Sequence, residues 1–221
     1  MIQGDNLKKT IFLLACLCCM ALCINAMAAD TVEESQLTWL KQDSGKNYSE
    51  MNFTLFSAIN EFGAQGLGVG EAVKFTAPKA GWKLQKVRVL AWSGFNETTQ
   101  TFPADRNILL EVRDEDLNLL YKFADAQNSY FLSNTSPVLG EIEIPAVPVT
   151  GDFYVVFYDR GAAHIGMEND EGTGNSFLFS NGQTLPAERT IQETNETVKI
   201  NWLIEAGGES PESELAQIKM D

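Results

Sequence analysis

Cysteine and histidine, which often act as nucleophiles, bases and metal ligands, are scarce in this chain: its 221 residues include four cysteines and one histidine. All four cysteines lie in the apolar run 11–29, which follows Lys8 and Lys9 and includes Ala-Met-Ala at 26–28. This arrangement is typical of a secretory signal peptide, so we predict cleavage after residue 28. The mature chain would then lack cysteine, which excludes thiol catalysis, disulfides and cysteine-based metal sites.

Two other interpretations of the leader stay open. If it is retained, it could anchor the chain, because it approaches the roughly 20 apolar residues that a membrane span needs. Residues 13–16 (Leu-Leu-Ala-Cys) resemble a bacterial lipobox, which would put a lipid on Cys16. In each interpretation the rest of the chain is exported, and we predict a secreted or cell-surface location without a span in the mature chain.

The remaining chemistry available to an enzyme is acid–base catalysis. His164, the one histidine, has no nucleophile elbow of the G-x-S-x-G type to work with, and Ala-Ala-His-Ile-Gly predicts that it starts a strand. Paired carboxylates could hydrolyse a glycoside, yet none of the candidate acids stands in a recognisable motif. These candidates are Asp105, Asp114, Asp116, Asp159, Glu168, Asp170 and Glu171. We therefore predict no catalytic residue and keep a small carboxylate-dependent hydrolase as the alternative.

An acidic loop over residues 168–175 is the best candidate metal site. Calcium prefers several oxygen ligands from carboxylates, amide side chains and carbonyls, often with glycine in the turn. The spacing differs from that of an EF-hand. The predicted ligands are Asp159, Glu168, Asp170 and Asn175, with Asn169 and Glu171 as further oxygen donors.

Aromatic side chains near loops are the candidate ligand-binding residues, since flat rings stack on the apolar faces of sugars. Trp82 and Trp202 fall in phase with buried positions and are expected in the core. Trp92, Tyr130 and Phe131 lie nearer to loops, and we predict that they contact a ligand.

Glycosylation signals and charge agree with export. Five triplets fit the N-x-Ser/Thr pattern, which predicts glycosylation at Asn47, Asn52, Asn96, Asn134 and Asn195 in a host that glycosylates secreted chains. The formal net charge of −14 disfavours nucleic acid and anionic lipid as partners. A glycan or another component of the cell envelope remains as the expected partner.

Hydrophobic residues after the leader recur at period two, which predicts strands with one buried face. The segment 153–158 is apolar on both faces, as a central strand should be. A phase shift near Gln85 predicts a bulge, Asp-Glu-Asp at 114–116 predicts a hairpin, and Pro145 with Pro148 predicts an edge strand or a crossover.

The pattern as a whole predicts an all-β fold, an antiparallel β-sandwich of about eight or nine strands with jelly-roll topology. We assign residues 1–28 to the signal peptide, 29–206 to the sandwich and 207–221, which are rich in Gly, Ser, Pro and Glu, to a disordered tail.

The segment 70–78 (Gly-Glu-Ala-Val-Lys-Phe-Thr-Ala-Pro), followed by Trp-Lys-Leu at 82–84 and Val-Arg-Val at 87–89, resembles an extracellular jelly-roll module. Such modules occur in secreted bacterial and archaeal proteins, often beside proteases or in surface proteins. Segments 110–114, 119–121, 151–155, 165–166 and 201–204 continue the resemblance in the same order, although no enzyme domain adjoins them here. It implies a β-sandwich with a non-catalytic role and no fixed ligand.

Together these observations predict a secreted or cell-surface binding or scaffolding module, with carbohydrate or envelope as its partner. The alternatives are the small hydrolase above and a purely structural envelope protein.

Overall fold

The structure is a computed structural model that describes residues 37–169, 172–191 and 194–210. The predicted leader, Cys16 included, lies outside these residues. The described chain is the compact unit that begins at Leu37. It is almost entirely β, with two antiparallel sheets that face each other across one core.

The first sheet has the order β1-β15-β4-β9-β14, with β2 paired to β9 and β7 paired to β4. Its strands are β1 (Thr38–Lys41), β2 (Phe53–Phe56), β4 (Lys83–Trp92), β7 (Val138–Pro148), β9 (His164–Glu168), β14 (Asn201–Trp202) and β15 (Ile204–Glu209). The second sheet has the order β11-β10-β3-β8-β5-β6. Its strands are β3 (Gly70–Thr76), β5 (Asn107–Asp114), β6 (Leu119–Ala126), β8 (Asp152–Tyr158), β10 (Ser176–Ser180) and β11 (Gln183–Pro186).

The connections carry smaller elements. A hairpin of β12 (Glu188–Ile191) and β13 (Glu196–Lys199) stands apart from both sheets. Helix α1 (Ala58–Phe62) leads into a 3-10 helix (Gly63–Gly68), and helix α2 (Asn128–Phe131) follows β6. From β6 to β10 the chain changes sheet at every connection, a winding that jelly-roll sandwiches share.

The predicted all-β antiparallel sandwich is confirmed, but eight or nine strands was too few, because the described residues form fifteen. Several of the additional strands have only four residues, as in β1, β2 and β11, and so short a segment shows no clear period. The segment 196–209 forms three strands, because the chain leaves the small hairpin and then pairs with β9 and β4 in turn.

Aromatic residues from both sheets fill the core. Trp82 is 1% exposed and its ring lies 5.8 Å from that of Phe153, which stacks on Phe75. Trp202 is 2% exposed, so both tryptophans predicted to be buried are confirmed as core residues. Burial of rings of this size contributes roughly 1.5–3 kcal/mol each, so the hydrophobic effect is the main source of stability in this core.

Local predictions about single strands also hold. β8 pairs with β3 on one side and β5 on the other, as a strand that is apolar on both faces should. β7 carries Pro145 and Pro148 and, within the described residues, pairs with β4 alone, so the edge position is confirmed. Proline has no backbone N–H to donate, and an edge strand tolerates this because it pairs with a neighbour on one side only.

The predicted bulge lies in β4, where the register shifts between Leu84 and Lys86. The strand on the other side of β4 is β15, whose register with β4 also shifts, between Gly207 and Gly208. β15 continues to Glu209. The boundary predicted for the disordered tail is therefore three residues too early, because residues 207–209 belong to β15. The two consecutive glycines of this segment are needed opposite the bulge. Residues 211–221 lie outside the described residues.

Replacing Gly208 by alanine should destabilise the domain by about 1–2 kcal/mol. A Cβ atom there would lie 2.2 Å from the Lys83 carbonyl oxygen and 2.5 Å from the Trp82 ring, so the strand pair would have to separate. Gly68→Ala is the control, since a Cβ atom at Gly68 meets nothing within 4 Å. Urea unfolding of the two variants measures the difference, and equal stabilities would contradict the close packing at the bulge.

Candidate ligand-binding site

Two clefts adjoin along the loop that connects β4 to β5 (residues 93–106). The first, which we term the aromatic cleft, has a volume of about 590 Å³ and is lined by Ser93, Gly94, Phe95, Asn96, Glu97, Thr101, Phe102 and Pro103. The second, the arginine cleft, has a volume of about 530 Å³ and is lined by Leu67, Asp105, Arg106, Asn107 and Arg160.

Hydrogen bonds hold the aromatic cleft in shape. The Ser93 backbone N–H and hydroxyl both donate to the Phe131 carbonyl, at 3.2 and 3.0 Å, which fixes the loop to α2. Asn96 and Thr101 pair through their backbones, and Asn96 Oδ1 accepts the N–H of Thr98 at 3.0 Å. The loop tip is therefore a compact turn that brings its two ends together.

Two phenylalanines flank this turn and form the apolar wall of the cleft. The rings of Phe95 and Phe102 lie 4.9 Å apart and are tilted by 56°. Phe102 is 40% exposed, which is high for a phenylalanine. A wall of exposed ring beside amide, carboxylate and hydroxyl groups is the usual composition of a small-molecule site.

None of the three predicted ligand residues lines the aromatic cleft. Trp92 is half-buried, directly precedes the loop, and donates from Nε1 to the Ser133 carbonyl at 2.7 Å. Tyr130 is also half-buried and donates its hydroxyl to Asp125 at 2.8 Å. Burial, followed by that carboxylate, raises the pKa of Tyr130 to about 12.

Phe131 requires a correction. It is completely buried, and its ring packs edge-on against Phe157 at 5.8 Å. The short helix α2 turns Phe131 into the core beneath Gly140, where an added Cβ atom would lie 2.5 Å from the ring. Phe131 therefore cannot present its ring to a ligand, whereas Trp92 and Tyr130 remain candidates at the margin of the site.

The predicted calcium ligands fall into two separate groups. Asp159 accepts the N–H of Ala58 and of Gly161, each at 2.7 Å, and so joins the start of α1 to the turn after β8. Burial raises the pKa of Asp159, against the effect of these hydrogen bonds. Glu168 is fully buried on the outer side of the first sheet, where its Oε2 accepts from Ser44 N and Asn201 Nδ2.

Asn175 belongs to the Glu168 group. Thr173, two residues before it, donates its N–H to Asn201, which in turn donates to Glu168. The Asn175 side chain itself donates to Gln42 at 2.8 Å. Asp170 and Glu171 lie outside the described residues. Within the described ranges, no three acidic, histidine or cysteine residues are grouped so that they could hold a metal ion. The calcium site stays a prediction, and a site that joins Asp159 to Glu168 has no support from these contacts.

Four of the carboxylates considered for hydrolysis accept hydrogen bonds within the fold: Asp159 and Glu168, described above, and Asp105 and Asp114. Asp114 accepts from the N–H groups of Asp116 and Asn118 and from the Asn118 side chain, so the predicted hairpin is confirmed. These hydrogen bonds, chiefly that of the Asn118 side chain, lower the pKa of Asp114. Asp105 accepts from Asn128 N at 3.3 Å. His164 starts β9 and is half-buried, as its sequence context predicts.

The predicted glycosylation sites are accessible. Each of the five asparagines is exposed: Asn47, Asn52, Asn96, Asn134 and Asn195. Their modification stays a prediction. In the part of the chain that the structure describes, no helix is both long enough and apolar enough to span a membrane.

Sequence reasoning named Asn96 and Asp105 for other roles and missed the remaining residues that line the two clefts. For Phe95 and Phe102 a signal existed, since two aromatic residues bracket a polar segment between two strands. For Arg106 and Arg160 no local signal existed, because they lie 54 residues apart in sequence and meet only through the fold.

Comparisons with known proteins found a distant structural similarity. No protein-family model matches the chain, and no curated protein matches it. Among solved structures, the chain is similar to the crystal structure of the cysteine protease and lectin-like domains of Cwp84, a surface layer associated protein of Clostridium difficile. The identity is 15% and the TM-score 0.38, over 64% of this chain and 32% of the other. The chain thus spans about a third of that neighbour, and its resemblance to a surface protein with β domains is remote.

Proposed function

We propose that this chain is a non-catalytic binding module of the cell exterior, and that the β4–β5 loop contacts a glycan. The observation that carries the proposal is the aromatic cleft, in which the exposed ring of Phe102 lies against Phe95. Sugars offer apolar C–H faces bordered by hydroxyl groups. An exposed ring can cover such a face, while Glu97 and Thr101 can bond to the hydroxyls.

The position of the loop supports the same role. It leaves β4 at the end of the sandwich and is tied to the buried core through Phe131, so the cleft has a rigid base. Binding residues are commonly carried on loops that a rigid scaffold positions. The predicted export signal, the exposed sequons and the lack of a recognised catalytic motif in the sequence all agree with an extracellular binding role.

Phe102→Ala should weaken glycan binding about tenfold, because it removes the most exposed ring of the cleft. Calorimetry against a panel of soluble glycans, and retention on insoluble glycans and isolated cell envelope, measure the effect. Each experiment is run with calcium and with a chelator, which also tests the predicted dependence on that ion.

Leu185→Ala is the matched control, since Leu185 is 63% exposed on β11 and lines neither cleft. It should leave binding unchanged. Failure of the wild-type protein to bind any glycan or envelope fraction would overturn the proposal, as would equal binding by Phe102→Ala and the wild-type protein.

A further inference from the structure

We propose that the glycan carries acidic groups, and that Arg106 and Arg160 bind its carboxylate or sulfate oxygens in the arginine cleft. This inference rests on the proposed function and names the class of glycan. The two guanidinium groups belong to residues that line one open cleft of about 530 Å³, together with Leu67 and Asn107. An arginine presents several N–H donors in a planar fork, which suits an oxyanion with two accepting oxygens.

The fold brings Arg106 into contact with the turn that carries Arg160. Arg106 Nη1 donates to the carbonyl of Gly161, the residue after Arg160, at 3.3 Å. Arg106 is itself held at its backbone by Gln127, whose side-chain oxygen accepts the Arg106 N–H and whose own N–H donates to Arg106 O at 2.9 Å. Gln127 is fully buried, so the backbone that carries Arg106 is fixed to the interior.

Arg160 is held in an uncommon backbone conformation. Its φ of 49° lies in the left-handed region, which is strained for a non-glycine residue. Asp159 stabilises the turn, because its carboxylate accepts Gly161 N–H and its carbonyl accepts Ala162 N–H, both at 2.7 Å. The turn therefore holds the backbone of Arg160 in a defined position next to the residue that Arg106 contacts.

Within residues 37–169, 172–191 and 194–210, no ion pair involves Arg106 or Arg160, whereas Arg88 and Arg113 each pair with glutamate. Asp105 is the acidic residue among those that line the cleft, and its Oδ1 accepts the N–H of Asn128. In a chain with a net charge of −14, two adjacent unpaired arginines form a local positive site.

The arginine cleft adjoins the aromatic cleft. Pro103 lines one and Asp105 lines the other, and two residues of chain span at most roughly 7 Å. An oligosaccharide could therefore lie across both, with a sugar face on Phe102 and an acidic group at the arginines. The acidic surface elsewhere repels polyanions, so binding of such a ligand would depend on this cleft rather than on general attraction.

The test compares three soluble probes of similar length: oligogalacturonate, which is carboxylated, chondroitin sulfate oligosaccharides, which are also sulfated, and uncharged dextran oligosaccharides. Calorimetry should show tighter binding of at least one acidic probe than of dextran. Arg106→Gln and Arg160→Gln should each weaken that binding about tenfold, and Arg160→Lys should retain part of it. Preference between the two acidic probes identifies the anionic group.

Lys199→Gln is the charge-matched control, since Lys199 is exposed on β13 and lines neither cleft. It should bind as the wild-type protein does, and near-ultraviolet circular dichroism confirms that each variant is folded. If the arginine variants bind normally while Phe102→Ala does not, or if dextran binds as tightly as the acidic probes, this inference is wrong and the proposed function stands. Absence of binding to every probe and to the wider glycan panel would overturn both.

Discussion

Replacing Lys41 by methionine is expected to destabilise the domain by about 3 kcal/mol, because the substitution removes the nearest positive charge from a buried carboxylate. Glu205 lies in β15 and is 1% exposed. Its Oε1 is 2.5 Å from Lys41 Nζ and also accepts the hydroxyl of Tyr48 at 2.5 Å. A buried carboxylate that loses its ion-pair partner retains the cost of desolvation without the compensating attraction.

The neighbouring arginine cannot fully replace Lys41. Arg88 Nη1 is 3.8 Å from Glu205 Oε2, whereas its Nη2 is 2.8 Å from Glu141. Glu205 Oε2 is buried and lacks a hydrogen bond. Burial and the bond to Glu205 raise the pKa of Tyr48, so its hydroxyl keeps the proton that it donates. Lys41 and Tyr48 together therefore hold the segment between β1 and β2 against the outer side of the first sheet.

A double-mutant cycle isolates this interaction. Urea unfolding of Lys41→Met, Glu205→Gln and the combined variant should give a coupling energy above about 1 kcal/mol, with the double variant more stable than Lys41→Met alone. Lys74→Met is the control, because the pair Lys74–Asp152 is partly solvated at 3.3 Å and should be worth less than about 1 kcal/mol. A loss at Lys41 no larger than the loss at Lys74 would show that Glu205 does not depend on this partner.

The sequence predicted the parts of the fold that depend on local pattern. The period-two segments became strands, the phase shift in β4 became a bulge, and the prolines of β7 placed that strand at an edge. Each of these follows from neighbours in the chain, because side-chain alternation and the missing N–H of proline act on the strand that carries them.

The parts that failed depend on contacts between distant segments. Phe131 lies in a short helix whose direction is set by the Ser93 bonds and by the space beneath Gly140. Asp159 lay near the acidic loop in the sequence, yet it points to α1, a hundred residues earlier, and bonds Ala58 N. No local signal could place Leu67, Arg106 and Arg160 at one cleft, since three connections of the sandwich have to meet there.

Glu71 also depends on such long-range contacts, and Glu71→Gln is expected to stabilise the domain increasingly as the pH rises. Glu71 is fully buried in β3, and neither of its carboxylate oxygens has a hydrogen-bond partner of good geometry. Burial, followed by the nearby charge of Asp159, raises the pKa of Glu71 well above its ordinary value of 4.5. The native carboxyl is therefore neutral under conditions in which the unfolded chain has lost the proton.

The sign of the pH dependence follows from that difference. Because the folded pKa is raised, the stability that Glu71 contributes is complete below pH 4.5 and declines as the pH rises towards the folded pKa. The decline is about 1.4 kcal/mol per pH unit while the native carboxyl keeps its proton. Glutamine has nearly the same shape and does not titrate, so the variant should match the wild type near pH 4 and exceed its stability at neutral pH. Asp159, whose pKa is also raised, is common to both proteins and cancels in the comparison.

Urea unfolding of both proteins between pH 4 and pH 8 measures this difference, with Glu115→Gln, an exposed turn residue, as a control expected to change stability by less than about 0.5 kcal/mol. A difference that stays flat with pH would mean that the Glu71 carboxyl titrates alike in the folded and the unfolded protein, which would contradict its raised pKa. Glu71 and the arginine cleft share a neighbour, Asp159. The charge of Asp159 raises the pKa of Glu71, and its carboxylate also holds the turn that carries Arg160.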